Sequence, residues 1–179
     1  MSKISHTLLR NAAAACSHIA ERLGELDPAG KDVYEANAAA YIEKLNELDA
    51  RYASSVSEAG TDTLLFGDRF PFRYLTDDYG LRYFAAFAGC SAETEASFET
   101  IVFLSGKVEE LGLSAVLTLE NSDGKLAQTI VDNTSVKNAQ ILQLDSLQST
   151  TLQDIAGGKT YLGAMEQTLE VLCQALQRG

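Results

Sequence analysis

Tryptophan is absent from this chain, and histidine, proline and methionine occur only twice each. The two histidines, His6 and His18, stand in no Ser-His-Asp or Cys-His pattern, so a nucleophile activated by an imidazole has no support. Cysteine is also scarce. Cys16, Cys90 and Cys173 are odd in number and form no CxxC pair, which excludes a disulfide framework and a structural zinc finger. Cys16 and Cys173 fall among apolar helical positions and read as buried thiols. Basic residues are few: 14 against 25 acidic ones give a net charge of −11, against nucleic acid as a partner. No apolar run approaches the roughly 18 residues of a membrane span. Met1-Ser-Lys-Ile-Ser-His6 lacks the apolar core of a signal peptide, so the expectation is a soluble chain with no export signal. Neither GxGxxG nor a P-loop follows any apolar segment, which removes nucleotide binding.

What is present is an ordinary globular composition, 46% hydrophobic and 22% charged over 179 residues. About Thr7 to Leu26 reads as a helix with Leu8, Leu9, Ala12, Cys16, Ile19, Ala20 and Leu23 on one face. Asp27-Pro28 ends it. A second helix, from about Ala29 to Val56, is long enough to bridge parts of a molecule, or to lie along its surface. Leu64-Leu65-Phe66 then reads as a strand buried on both faces, closed by Gly67, with Asp68 placed to cap a helix that has Pro71 near its first turn and stops at Gly80. Three more strands follow, at Leu81–Phe87, Leu113–Leu119 and Ala139–Leu144. Helices come after two of them, from Ser97 to Gly112 and across Leu126–Val131. Gln148–Gly158 reads as a polar loop before a last amphipathic helix. The fold class is therefore α/β, a four-stranded parallel sheet flanked by helices and preceded by a long, bridging-type helix. Residues 1–57 form the helical lead-in and 58–179 the α/β lobe, within one structural domain.

In a parallel sheet, ligands bind beyond the carboxyl ends of the strands. Those ends carry Gly67-Asp68-Arg69, Gly89-Cys90-Ser91, Glu120-Asn121-Ser122-Asp123 and Asp145-Ser146. Three of the four carry a carboxylate and none a base–nucleophile pair, a pattern suited to cation binding rather than catalysis. Asp145 is the strongest candidate ligand. Asp68 either caps its helix or faces a ligand, and Glu120 either faces a ligand or accepts a backbone hydrogen bond in its own turn. Asp123 reads mainly as an N-cap. Arg69 lines the same cleft and pairs with Asp68 or Asp145. Cys90 is a zinc ligand only if it points inward.

Several ordered segments resemble the metal-binding class of ABC-transporter solute-binding proteins, the zinc and manganese receptors. They are Asn11-Ala12, Glu25-Leu26-Asp27-Pro28, Tyr34-Glu35-Ala36-Asn37, Tyr41-Ile42-Glu43-Lys44-Leu45, Leu65-Phe66-Gly67-Asp68-Arg69-Phe70, Glu93-Thr94-Glu95-Ala96-Ser97, Leu144-Asp145-Ser146 and Thr160-Tyr161-Leu162. The resemblance covers about residues 8–179 and corresponds to the carboxyl-terminal lobe alone. It implies a divalent transition metal, zinc or manganese, held between two lobes. The missing amino-terminal lobe would bring two histidines and the export signal. It also implies a membrane permease as partner and an extracytoplasmic location, as a lipoprotein or in a periplasm. Asp145 matches the family's aspartate ligand. Where the family places a histidine, this chain has Arg69, or Gly67 on an alternative match, and neither side chain binds a metal. Asp68 is the nearest substitute. The resemblance thus implies a lobe that binds metal weakly or not at all by itself, with a sticky site face capable of homodimer formation, or a lobe-derived interaction domain that has lost its metal.

Overall fold

A computed structural model describes residues 8–87 and 96–177. Helix α1 (Leu8–Leu26) turns at Asp27–Gly30 into the long α2 (Lys31–Ser57). The α/β part then runs β1 (Thr63–Arg69), α3 (Arg73–Tyr79), β2 (Arg82–Phe87), α4 (Phe98–Leu111), β3 (Ala115–Leu119), α5 (Lys125–Asp132), β4 (Gln140–Leu144), α6 (Leu152–Ala156) and α7 (Tyr161–Ala175). All strand pairs are parallel, in the order β2-β1-β3-β4. The α/β class and four-stranded parallel sheet expected from the sequence are what the structure has.

The central strands explain the layering. Every residue of β3 is buried, as are the first five of β1, and neither strand alternates apolar with polar residues. Successive side chains of a strand point to opposite faces. Leu64, Phe66 and Leu117 accordingly join one core with Leu48 and Tyr52 of α2 and Leu169 and Leu172 of α7. Leu65 and Val116 join the other with Leu104 and Val108 of α4 and Ala127 and Ile130 of α5. Helices therefore cover both faces, and only the strand ends are left for polar chemistry.

Several local signals act as the sequence suggests. Ser97 caps α4 by accepting the Thr100 amide, and Gly112 and Gly80 close helices in the left-handed conformation (φ 59° and 67°) that costs glycine least. Two helical expectations need correction. The α1 stripe turns only partly inward: Leu9, Ala13 and Ala20 are buried, whereas Ile19 and Leu23 are 59% and 41% exposed. The reason lies in α2, whose buried residues Leu45, Leu48 and Tyr52 all fall in its second half. Cys16 and Cys173 are half-buried rather than sealed in the core. The expected polar loop also contains α6, a short helix held by a capping box between Thr151 and Asp154.

The turn after Phe66 differs most. Gly67 does not end β1; the strand continues through Asp68 to Arg69, with its pairing to β2 shifting register between Phe66 and Arg69. Asp68 does not cap α3, which starts at Arg73 with no side-chain cap. Glycine at 67 serves packing instead. A Cβ there would lie 2.7 Å from Ala127 Cα and 3.1 Å from Ala127 N, so α5 can rest directly on β1 only above a residue with no side chain. Gly106, inside α4, has open space around it.

These two glycines give a paired prediction. Gly67→Ala should lower stability by roughly 1–3 kcal/mol through overpacking against backbone. Gly106→Ala should raise it by about 0.5–1 kcal/mol through helix propensity. Urea unfolding of both variants measures this. An unchanged midpoint for Gly67→Ala would mean that α5 is free to move away from the strand.

Candidate functional site

In the order β2-β1-β3-β4, the chain leaves β1 for β2 on one side and places β3 on the other, so the switch of direction falls between β1 and β3. A crevice opens there at the carboxyl ends of the strands. Arg69 from the end of β1 and Glu120 from the end of β3 line a cavity of about 190 Å³, together with Pro71, Asn121, Ser146 and Ser149 among others. A second hollow of about 380 Å³ is bordered by Glu120, Gln143 and Asp145 and by residues of α7. The structure therefore brings Arg69 to Glu120 and Glu120 to Asp145, but in two adjoining hollows.

Each predicted carboxylate has partners within the chain. Asp68 is 12% exposed; its Oδ1 accepts the Arg69 amide at 2.7 Å and its Oδ2 accepts the Leu119 amide at 3.3 Å. It thereby ties the end of β1 to the end of β3. Glu120 accepts three hydrogen bonds: the Ser146 amide (2.9 Å), the Ser146 hydroxyl (2.8 Å) and the Ser149 hydroxyl (2.8 Å). Burial alone would raise its pKa, but these donors, the Ser146 amide foremost, hold the carboxyl below its ordinary value. Of its two sequence readings, hydrogen bonding within the chain is the one the geometry carries, and it reaches across to the β4 end. Asp123 accepts the Lys125 amide at 3.1 Å, although the N-cap position of α5 is Gly124.

Asp145 sits just past β4, with its Oδ1 accepting the Leu147 amide at 2.8 Å and its Oδ2 2.5 Å from Lys159 Nζ. The two side chains are 20% and 27% exposed. The hydrogen bond to Asp145 raises the Lys159 pKa above its ordinary value, so the ammonium is held charged against the carboxylate. Lys159 is a site residue that sequence reasoning missed. It lies in the loop before α7, 14 positions from Asp145 (159 − 145), and nothing in the intervening pattern marks the pairing. Arg69 pairs with Asp68 rather than Asp145, and only at 3.8 Å from Nε to Oδ1, with its side chain half exposed. Among the described residues, no group of three or more His, Cys, Asp or Glu side chains is arranged to hold a metal. Cys90, Glu93 and Glu95 lie outside the described residues.

The depressed Glu120 pKa sets a pH signature. A carboxylate stabilised in the folded state contributes above its unfolded value of about 4.3 and loses that contribution as the pH falls through its lower folded value. Glu120→Gln should therefore be destabilised relative to the parent at pH 7, and the gap should narrow as the pH falls below about 4. Urea midpoints from pH 7 to 3 report it. A gap independent of pH would show that the loss comes from packing rather than charge.

Residues 7–175 match the family model described as zinc-uptake complex component A, periplasmic. The zinc-binding lipoprotein AdcA of Streptococcus pneumoniae is 34% identical over 157 residues, which is 88% of this chain and 30% of that protein. The high-affinity zinc uptake system protein ZnuA of Bacillus subtilis is 26% identical over 159 residues, 89% of this chain and 48% of that one. The solved zinc-bound ZnuA-like domain of Streptococcus pneumoniae AdcA superposes with a TM-score of 0.75 at 31% identity, over 97% of this chain and 64% of that domain. The chain thus spans between about a third and a half of the curated relatives. By the match across nearly its whole length, the chain belongs to the zinc-uptake component A family of ABC-importer solute-binding proteins.

Proposed function

We propose that the chain is the carboxyl-terminal lobe of a receptor that passes a transition-metal cation, zinc or manganese, to an ABC importer. The observation that carries this reading is Asp145: a partly exposed carboxylate at a strand end of a family fold, with one oxygen on the Leu147 amide and the other facing a lysine. The role is capture and delivery rather than catalysis. The helical segment 1–57 would join the α/β lobe 58–179 to an amino-terminal lobe, and the metal would sit between the two lobes. The partner is a membrane permease and the setting extracytoplasmic, by analogy with relatives named as a lipoprotein and as a periplasmic component.

On this reading, the cation displaces Lys159 from Asp145. Zinc prefers four ligands with nitrogen or sulfur donors, so one carboxylate from this side makes an incomplete site. The remaining donors would come from the amino-terminal lobe or from a second copy across the exposed site face. Asp68 and Glu120 are poor further ligands because backbone amides and serine hydroxyls already hold their oxygens. A second reading, a lobe that keeps the fold as an interaction domain without metal, is favoured by one specific observation. Arg69 and Lys159 both place positive charge on this face.

Calorimetric titration of the metal-stripped chain with zinc and then manganese tests the choice. The expected result is weak binding, with a Kd of roughly 10 μM or higher. It should be abolished in Asp145→Ala and strengthened in Lys159→Gln, where the competing ammonium is gone. Binding that persists unchanged in Asp145→Ala would sink the assignment of the metal to Asp145, and no heat in any of the three proteins would leave a lobe inert without its other half or the interaction domain.

A further inference from the structure

Among the described residues, the cation at the switch crevice has no anion within hydrogen-bonding distance. Among the described residues, Arg69 has one ion-pair partner, Asp68, at 3.8 Å, beyond hydrogen-bonding distance. Asp68 meanwhile spends its oxygens on the amides of Arg69 and Leu119. The half-exposed guanidinium thus lines the cavity of about 190 Å³ with much of its donor fork unused. The other acid of the wall, Glu120, is likewise committed, since three of its roughly four acceptor sites are filled by Ser146 and Ser149. The neighbouring side chains of Asn121 and Gln148 add neutral amide donors. Among the described residues, the cavity therefore presents one cation with donors to spare and one anion turned toward the protein.

We propose that this cavity binds a small carboxylate anion, with Arg69 as its anchor. A planar carboxylate matches the guanidinium fork with two parallel hydrogen bonds, which a point charge such as lysine cannot offer. The volume lies below the roughly 300 Å³ at which drug-sized pockets begin, so the ligand is metabolite-sized. The charge of Glu120 selects further. A monoanion neutralises Arg69 and lowers the charge of the crevice by one, whereas a dianion such as phosphate lowers it by two and adds repulsion against Glu120. This site is separate from the Asp145–Lys159 pair and needs no metal, so it stands or falls independently of cation capture.

The test uses the metal-stripped, ¹⁵N-labelled chain at neutral pH, titrated with sodium acetate against sodium chloride at matched ionic strength. The Arg69 Nε–Hε signal and the amides of Asn121 and Ser146 are followed by NMR. Saturable shifts in the millimolar range are expected. They should weaken several-fold in Arg69→Lys and at least about tenfold in Arg69→Gln, with Asp145→Ala unchanged. Unaltered amide signals elsewhere in the Arg69 variants establish that the fold is kept. Shifts that never saturate, shifts of equal size in Arg69→Gln, or tighter saturation by inorganic phosphate would each overturn the proposal.

Discussion

The bond from Asp68 to the Leu119 amide joins the ends of the two strands that are buried on both faces. Such strands leave no solvent to satisfy their terminal amides, and an unpaired buried amide costs about 1–3 kcal/mol. The structure answers with side chains. Asp68 takes the amide at the end of β3, Glu120 takes the Ser146 amide beyond β4, and Gln143 donates to the carbonyls of Leu119 and Glu120. Carboxylates gather at this edge because a doubly covered parallel sheet needs acceptors there. That requirement is met here by Asp68 and Glu120. Asp145 differs, since it satisfies one amide and still presents an oxygen to a mobile type of side chain, a lysine.

The relation between sequence and structure is uneven in a physically sensible way. Gly80 and Gly112 were legible because left-handed glycines act within a few residues of themselves, and Ser97 was legible as the start of its helix. The apolar runs in β1 and β3 were legible because double burial removes alternation. Gly67 misled because glycine signals both a turn and a close approach, and only the position of Ala127, sixty residues on, distinguishes them. Helix α6 was hidden by its five-residue length, too short for a periodic stripe, although Thr151 and Asp154 had the spacing of a capping box. At the site, Asp145 and Arg69 could be found from strand ends alone. The partnerships could not: Lys159 with Asp145, and Ser146 and Ser149 with Glu120, depend on loops whose course no local rule specifies.

Charge is distributed against the trend of the whole. The chain carries −11, yet the crevice displays a half-exposed arginine and a lysine held charged, while its acids are hydrogen-bonded. At the strand ends Arg69 and Lys159 stand among three carboxylates, Asp68, Glu120 and Asp145, so an approaching cation meets positive charge beside the acids. Both Lys159 and Arg69 reach the crevice on flexible methylene stems, Lys159 held at its end by Asp145 and Arg69 facing Asp68 at 3.8 Å.

Away from the site, the Tyr52 ring stacks on that of Tyr79 at 5.0 Å. Tyr52 donates its hydroxyl to the Met165 carbonyl (2.6 Å), and Tyr79 donates to Asp49, which Arg10 also binds. This node fastens α1, α2, α3 and α7 to one another. Burial above all drives both phenols to titrate far above their ordinary range, while Tyr161 is pushed up to about 12. With no tryptophan to mask them, phenolate absorbance becomes an internal gauge. Because burial holds Tyr52 and Tyr79 far above the ordinary phenol range, their phenolate absorbance in alkali reports the opening of the node that joins the four helices.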